Sequence, residues 1–348
     1  MQLGRVLLAK TLQGEISAVA ARSLTLGELW RRYSSECAEF LDNKERTRKG
    51  AAASARVLLA YFGSGFEVEN LSKDHQRAFE RARLAGGILT SEGLTRPTRA
   101  RSAESDVVVL HAMLLWATTV RVPGGGFLLD RNPLAGVKRV REKNKKQPAA
   151  TWERYEGTVA AMQALRAEAE SDDSRLRWLR MEFALFLAER TGRRLGSIRQ
   201  LRWEDFHYER AIVHWRAEAD KKGYKWDVPM PADFFEEIKR FQREFGAVGG
   251  FVFAAPKARD GIADRHHFDK WLSCAEQRAG LAKLDGSLWH AYRRKWAIER
   301  KHLPLRDVAA AGGWKDVNTL LEVYQQADEG SVLLVTSETR KLRERGVA

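Results

Sequence analysis

Between Gly124 and Pro148 the chain abandons every regular apolar period, and that break limits the fold more than any other stretch. Gly124-Gly125-Gly126 and Asn132-Pro133 stop whatever helix precedes them. Six of the nine residues from Lys138 to Lys146 are then basic, and Gln147-Pro148 closes the run. So charged a stretch cannot enter a core, which divides the 348 residues into two parts, each long enough for a core of its own. The expected division is 1–22 as a leader or arm remnant, 23–137 as a helical domain and 138–150 as the basic interdomain linker. Residues 151–330 form the second domain and 331–348 a tail.

The two parts differ in period. Ahead of the break, Thr25-Leu26-Gly27-Glu28 fits a capping box, followed by Leu29, Trp30, Tyr33, Cys37 and Phe40 at helical spacing. Further helices are expected over Ala51–Phe62 (stopped by Gly63), from near Ser72 to Ala85 (capped by Gly86) and over Glu104–Val120. No strand alternation stands out there. Behind the break, Ser174–Arg190 is strongly amphipathic and ends at Thr191-Gly192, and a short helix runs to Leu201. Ala211–Trp215 and Lys225–Met230 read as two strands around a turn at Lys222-Gly223. Helices resume near Ala232–Phe245, Asp264–Ala279, Leu288–His302, Leu305–Ala311 and Val317–Tyr324. An apolar Val332-Leu333-Leu334-Val335 run precedes a short helix at Glu338–Arg345. The fold class is mainly α with a small β-sheet, the sheet belonging to an α+β second domain.

Charge points to the partner. The net charge is +14, and residues 1–150 carry 25 Lys and Arg against 15 Asp and Glu, while the rest carries 35 against 31. A polyanion suits that balance, and the front half suits a clamp around one. Apolar runs are too short to span a bilayer, and Met1–Arg22 has neither the long apolar region nor the cleavage site of a secretory signal. Cys37 and Cys274, the only cysteines, lie far apart, which argues for a reducing cytoplasm and against zinc or a disulfide framework.

Five features in a fixed order carry the chemistry. They are Arg194 in Thr191-Gly192-Arg193-Arg194, Lys221 at a hairpin tip, His290 with Arg293 as His-x-x-Arg, Trp314, and Tyr324. Guanidinium forks can hold both non-bridging oxygens of a phosphodiester, and a lysine or histidine can protonate a departing alkoxide. A tyrosine hydroxyl can be the nucleophile. Residues i and i+3 share a helix face, so His290 and Arg293 can address one phosphate. Singly each motif is commonplace; the ordered set, with a strand pair between the arginines, is what carries weight.

Residues 189–205, Leu288–Arg293, Gly313-Trp314 and Leu321–Gln326 together resemble the motif boxes of the tyrosine recombinase (phage integrase) family. The resemblance is strong over 186–326 and general in pattern from 25 to 330. It implies a C-shaped two-domain clamp of tyrosine-recombinase type, with 23–137 as the core DNA-binding domain and 151–330 as the catalytic domain. It also implies the roles. Arg194 and Arg293 bind the scissile phosphate, Tyr324 attacks, and Lys221 protonates the leaving oxygen, with Lys222 its rival. His290 assists proton transfer, and Trp314, where His is more usual, hydrogen-bonds the phosphate. Arg99, Arg101, Lys138, Arg139, Arg141, Lys143, Lys145 and Lys146 are the candidates for phosphate contacts along the duplex.

The activity implied is site-specific DNA recombination through a 3′-phosphotyrosyl intermediate, integrating or excising a mobile element. No metal and no cofactor are implied, and the sequence has neither a G-x-x-x-x-G-K-[S/T] loop nor an obvious carboxylate cluster for two metals. The partners are double-stranded DNA, further copies of the chain as a tetramer on two duplexes, and a DNA-bending accessory protein. No membrane is involved, and the setting is the cytoplasm of a bacterial or archaeal host, at the nucleoid. The tail would dock either on a neighbouring protomer or on its own domain. Three departures stand out: Ser197 where an acidic residue is common, Arg294 where His is frequent, and one extra residue between Trp314 and Tyr324. The alternatives are a type IB topoisomerase-like relaxing enzyme and a DNA-binding protein on this scaffold without catalysis.

Overall fold

Side-chain caps set the helix starts of the front part. The Thr25 hydroxyl accepts from the Glu28 amide at 3.2 Å and opens α1 (Leu26–Glu36). Cys37 turns the chain into extended backbone, so Phe40 packs from a separate single turn, Ala38–Leu41. The second helix, α2 (Glu45–Phe62), ends at Gly63. It begins six residues before the apolar period does, because its first turns carry exposed charge. α3 (Lys73–Ala85) lies between Ser72 and Gly86, and α4 (Ala100–Ala117) follows a two-residue hairpin, β1 (Leu89–Thr90) with β2 (Gly93–Leu94). That hairpin corrects the expectation of an all-helical front part. Its Leu89 and Leu94 face out, so no alternation announces it. Leu26, Leu29, Leu58, Phe79, Leu110 and Leu114 fill the core.

The computed structural model describes residues 23–123, 125–139, 147–220, 223–246, 249–255, 258, 261–284, 286, 288–325, 327 and 329–337. It divides into two units, 1–145 and 146–348. The expected leader at 1–22, the linker residues Arg141, Lys143, Lys145 and Lys146, and the expected helix at 338–345 lie outside the described residues.

In the second unit α5 (Trp152–Ala167) is a helix the sequence reading lacks. Its buried face includes Arg154 and Thr158, so no apolar stripe marks it. Arg154 forks onto Glu276 at 3.1 and 2.9 Å, and the Tyr292 hydroxyl donates to the same carboxylate at 3.0 Å. α6 (Asp172–Thr191) is buried along most of its length; Phe183 stacks on Trp203 and on Phe241, with centroids 5.7 and 4.4 Å apart. After the single turn α7 (Leu195–Ile198) comes an antiparallel sheet of β3 (Phe206–His207), β4 (Ile212–Trp215) and β5 (Trp226–Pro229). Val213 pairs with Val228 and Trp215 with Trp226.

Then follow α8 (Ala232–Phe245), α9 (Arg265–Arg278), α10 (Leu288–Glu299) and α11 (Leu305–Gly312). One α-turn, Val317–Thr319, passes into a π-turn over Leu320–Tyr324, closed by the Gln325 amide on the Leu320 carbonyl at 2.8 Å. The last described element, α12 (Glu329–Ser337), includes the apolar run Val332–Val335, all four side chains exposed. Among the described residues no helix is long and apolar enough to cross a membrane.

Candidate active site

Three arginines converge on the end of one short helix. The last carbonyls of a helix lack intrahelical partners and carry the negative end of its dipole. At the end of α11, Arg193 donates from Nε to the Ala311 carbonyl at 3.1 Å and from Nη2 to that of Ala310 at 3.2 Å. Arg293 donates from Nη1 to the Gly312 carbonyl at 2.7 Å and also to that of Gly192. Arg194 reaches the Gly313 carbonyl at 3.5 Å. Thus the turn after α6 and the face of α10 meet at α11, and Trp314 follows directly. Gly313 has φ +72°, and a Cβ there would lie 2.1 Å from an Arg193 nitrogen; at Gly312 it would lie 1.9 Å from the Trp314 ring. Only glycine permits this approach at either position.

Arg293 is 1% exposed, Trp314 2% and Tyr324 7%. The Arg293 guanidinium carbon lies 3.4 Å from the Trp314 ring centroid and 5.2 Å from that of Tyr324. Trp314 and Tyr324 meet edge to face at 4.9 Å, and the His290 ring is 6.4 Å from Tyr324. Tyr324 gets there through the π-turn, which absorbs one residue more than an α-turn. Three donors at this spot have no hydrogen-bond partner: Arg293 Nε, Arg293 Nη2 and Trp314 Nε1. Burial, and after it the Arg194 charge, pulls the Arg293 pKa down to about 9, so the group keeps its charge at neutral pH. The Tyr324 hydroxyl is near enough to oppose that shift, without a hydrogen bond of ordinary geometry.

His290 and Arg293 stand on α10 at the i, i+3 spacing read from the sequence. Burial lowers the His290 pKa to about 4, aided by Arg293, Arg294 and Arg194, so the ring is neutral at pH 7 and can accept a proton. Arg194 is half-buried and lines a cleft of about 220 Å³ with Asp220, Tyr224, Trp226, Trp314 and Lys315. Lys221 and Lys222 lie outside the described residues. Asp220 and Gly223 on either side of them are described, and the Ser197 hydroxyl donates to the Ala219 carbonyl at 2.9 Å.

The structure therefore gathers Arg194, Arg293, His290, Trp314 and Tyr324 in one place. Of the basic candidates, Arg99, Arg101 and Lys138 are exposed and Arg139 is half-buried, all in the first unit. Arg193 joins the site from outside the expected set, its guanidinium 5.0 Å from the Trp215 ring and 5.6 Å from the Trp226 ring. A tryptophan on each of the two predicted strands was the signal that could have found it.

Residues 158–330 match the model of the phage integrase family. The fold is similar to that of lambda integrase, solved as a tetramer bound to a Holliday junction (TM-score 0.66, 17% identity, 91% of this chain and 82% of that one). It is also similar to the XerH site-specific recombinase bound to palindromic difH substrate in a post-cleavage complex (0.64, 15%, 93% and 86%). A third likeness is to the Tn1549 transposon integrase in complex with transposon right end DNA (0.63, 12%, 92% and 100%). No curated protein matches the chain.

Proposed function

Residues 158–330 of this chain belong to the phage integrase family, and from that premise we propose that the protein is a site-specific DNA recombinase. It cuts and rejoins duplex DNA through a 3′-phosphotyrosyl intermediate, integrating or excising a mobile element in the cytoplasm of a bacterial or archaeal host. The observation that carries this reading is the trio of buried, unpartnered donors, Arg293 Nε and Nη2 with Trp314 Nε1, beside Tyr324. Each such donor costs on the order of 1–3 kcal/mol, more when charged, until an acceptor arrives. A phosphodiester supplies acceptor oxygens and the negative charge that a second guanidinium, Arg194, also seeks.

On this reading Arg293 and Arg194 hold the non-bridging oxygens of the scissile phosphate and stabilise the charge of its pentacoordinate transition state. The Tyr324 oxygen forms its bond to phosphorus as the bond to the 5′ oxygen breaks. Neutral His290 takes up the phenol proton, and Lys221 protonates the leaving oxygen. The phosphotyrosine keeps the bond energy, so a new 5′ hydroxyl can reverse the step. The basic set Arg99, Arg101, Lys138, Arg139, Arg141, Lys143, Lys145 and Lys146 would neutralise duplex phosphates. Four protomers would join two duplexes with a DNA-bending accessory protein, and the exposed Val332–Val335 face of α12 supports docking of the tail on a neighbouring protomer.

Incubation with a pool of nicked duplexes of randomised sequence, followed by mapping of peptides that stay on DNA in detergent, tests the assignment. The DNA is expected on the peptide containing Tyr324 and absent with Tyr324→Phe. DNA on any other tyrosine, or undiminished cleavage by the variant, overturns it.

A further inference from the structure

The hairpin between β4 and β5 leaves the sheet towards the Arg194 cleft, and it is fastened on both sides of its tip. On the outgoing side the buried Ser197 hydroxyl, three residues after Arg194, donates to the Ala219 carbonyl at 2.9 Å. On the returning side the Lys315 ammonium donates to the Tyr224 hydroxyl and lies 4.6 Å from its ring centroid. Lys315 directly follows Trp314, and both line the cleft with Arg194 and Tyr224. Two residues further along, at the start of β5, Arg193 lies 5.6 Å from the Trp226 ring while bonded to the Ala310 and Ala311 carbonyls. Only residues 220–223 separate the two fastenings, and Lys221 and Lys222 are among them.

Holding the Ala219 carbonyl and the Tyr224 hydroxyl costs the chain entropy at those two residues and fixes where the described backbone on either side of the tip leaves and returns. Lys315 is exposed and no carboxylate pairs with it in an ion pair of the described residues. Its amine is nonetheless spent on a neutral hydroxyl across the cleft. That arrangement gains little stability on the surface. It does fix where the strand after the tip returns.

We propose that Lys315, acting through the Tyr224 hydroxyl, is a positioning residue that fixes the returning end of the hairpin whose tip sequence holds Lys221 and Lys222. Proton delivery to the leaving 5′ oxygen then depends on a residue outside the hairpin, and one that stands next to Trp314. The inference rests on the function proposed above, because it presumes that a tip lysine is the acid. In the step concerned, the P–O5′ bond breaks, its electron pair stays on oxygen, and the lysine ammonium supplies the proton.

The test is single-turnover cleavage of the duplex recovered by covalent trapping, made with either oxygen or sulfur at the bridging 5′ position. A thiolate departs without a proton, since thiols ionise near pH ~8.5. Tyr224→Phe and Lys315→Met are each expected to slow cleavage of the oxygen substrate by about 10- to 100-fold and to leave the sulfur substrate near the wild-type rate. The double variant should be no worse than the poorer single one, as one shared contact requires. Cleavage of sulfur DNA by the same preparations shows that the variants are folded. The inference is overturned if both substrates slow together or if the single effects multiply. It is equally overturned if Tyr224→Phe alone is silent, which would leave Lys315 acting on DNA directly. If the wild type forms no tyrosyl adduct with either substrate, the proposed function itself fails.

Discussion

The candidate site has a sealed side and an open side. Arg293 and Tyr324 are almost wholly buried, whereas Arg194, Tyr224 and Lys315 line an open cleft, and the buried Trp314 ring is the wall between the two. Charge on the open side keeps its hydration. Charge on the sealed side has lost its hydration, and two of its donors hold nothing in return. A donor held dry and aimed before substrate arrives costs stability in the free protein but no reorganisation during reaction. On the function proposed above, the contrast gives two chemically identical groups different work: Arg293 would be preorganised for the phosphate, and Arg194 would meet it from the open cleft.

The sharpest way to break that contrast is to change both arginines to lysine. At Arg293 a lysine cannot bond the Gly192 and Gly312 carbonyls and still present a fork to phosphate, so single-turnover cleavage by Arg293→Lys should fall by about 10²- to 10³-fold. At Arg194, which makes one long contact to Gly313 in a wet cleft, the loss should be nearer ~10-fold, the scale of a softened charge-assisted bond. Equal losses would mean that the two sides do not differ in kind.

His290 extends the comparison to pH. Its ring protonates near 6.5 in an unfolded chain but only near 4 in place, chiefly through burial. The proton therefore favours the unfolded state. Stability from the neutral ring is whole above pH 6.5 and is lost as pH falls towards 4, by at most about 3 kcal/mol. Denaturant midpoints of the wild type and His290→Gln should converge as pH falls from 7 to 4.5. Parallel curves would show that the ring is as wet as the open side. Because neutral His290 can accept the phenol proton across that range, cleavage should not fall between pH 8 and 6 on its account.

Part of this was legible in the sequence. Gly63, Gly86, Gly192 and Gly246 mark helix ends through positive φ, a property written in residue type alone. The three-residue interval between His290 and Arg293 is enough to set both on one helical face, since a helix of either hand of packing keeps that period. The strands 212–215 and 226–229 followed from apolar, β-branched and aromatic content around a glycine turn. What remained hidden had physical reasons. α5 buries Arg154 and Thr158 through partners 122 and 134 residues away, and such long-range satisfaction has no local signal. The π-turn ahead of Tyr324 differs from an α-turn by a single residue, and a periodicity count cannot tell an insertion from a wider turn. Which donors of Arg293 stay unpaired depends on α11, whose Gly312 carbonyl takes Nη1, the same nitrogen that bonds Gly192. The clasp of Lys315 on Tyr224 joins residues 91 apart through a lysine that composition marks only as surface charge.

The smallest expected difference concerns stability alone. A methyl group at Gly312 would sit 1.9 Å from the Trp314 ring and 2.8 Å from that of Trp296, in a place where nothing can give without moving an indole. Overpacking of this kind costs about 1–3 kcal/mol, so Gly312→Ala should lower the denaturant midpoint measurably and displace Trp314 from Arg293. Lys315→Met, on the open side, removes an exposed amine from a hydroxyl and should leave stability within about 0.5 kcal/mol. Both variants should nevertheless be slow on oxygen-linked DNA. Sulfur at the leaving position should rescue Lys315→Met and not Gly312→Ala, because the first disturbs proton delivery and the second disturbs the grip on phosphorus. Rescue of both, or of neither, would merge the two sides into one.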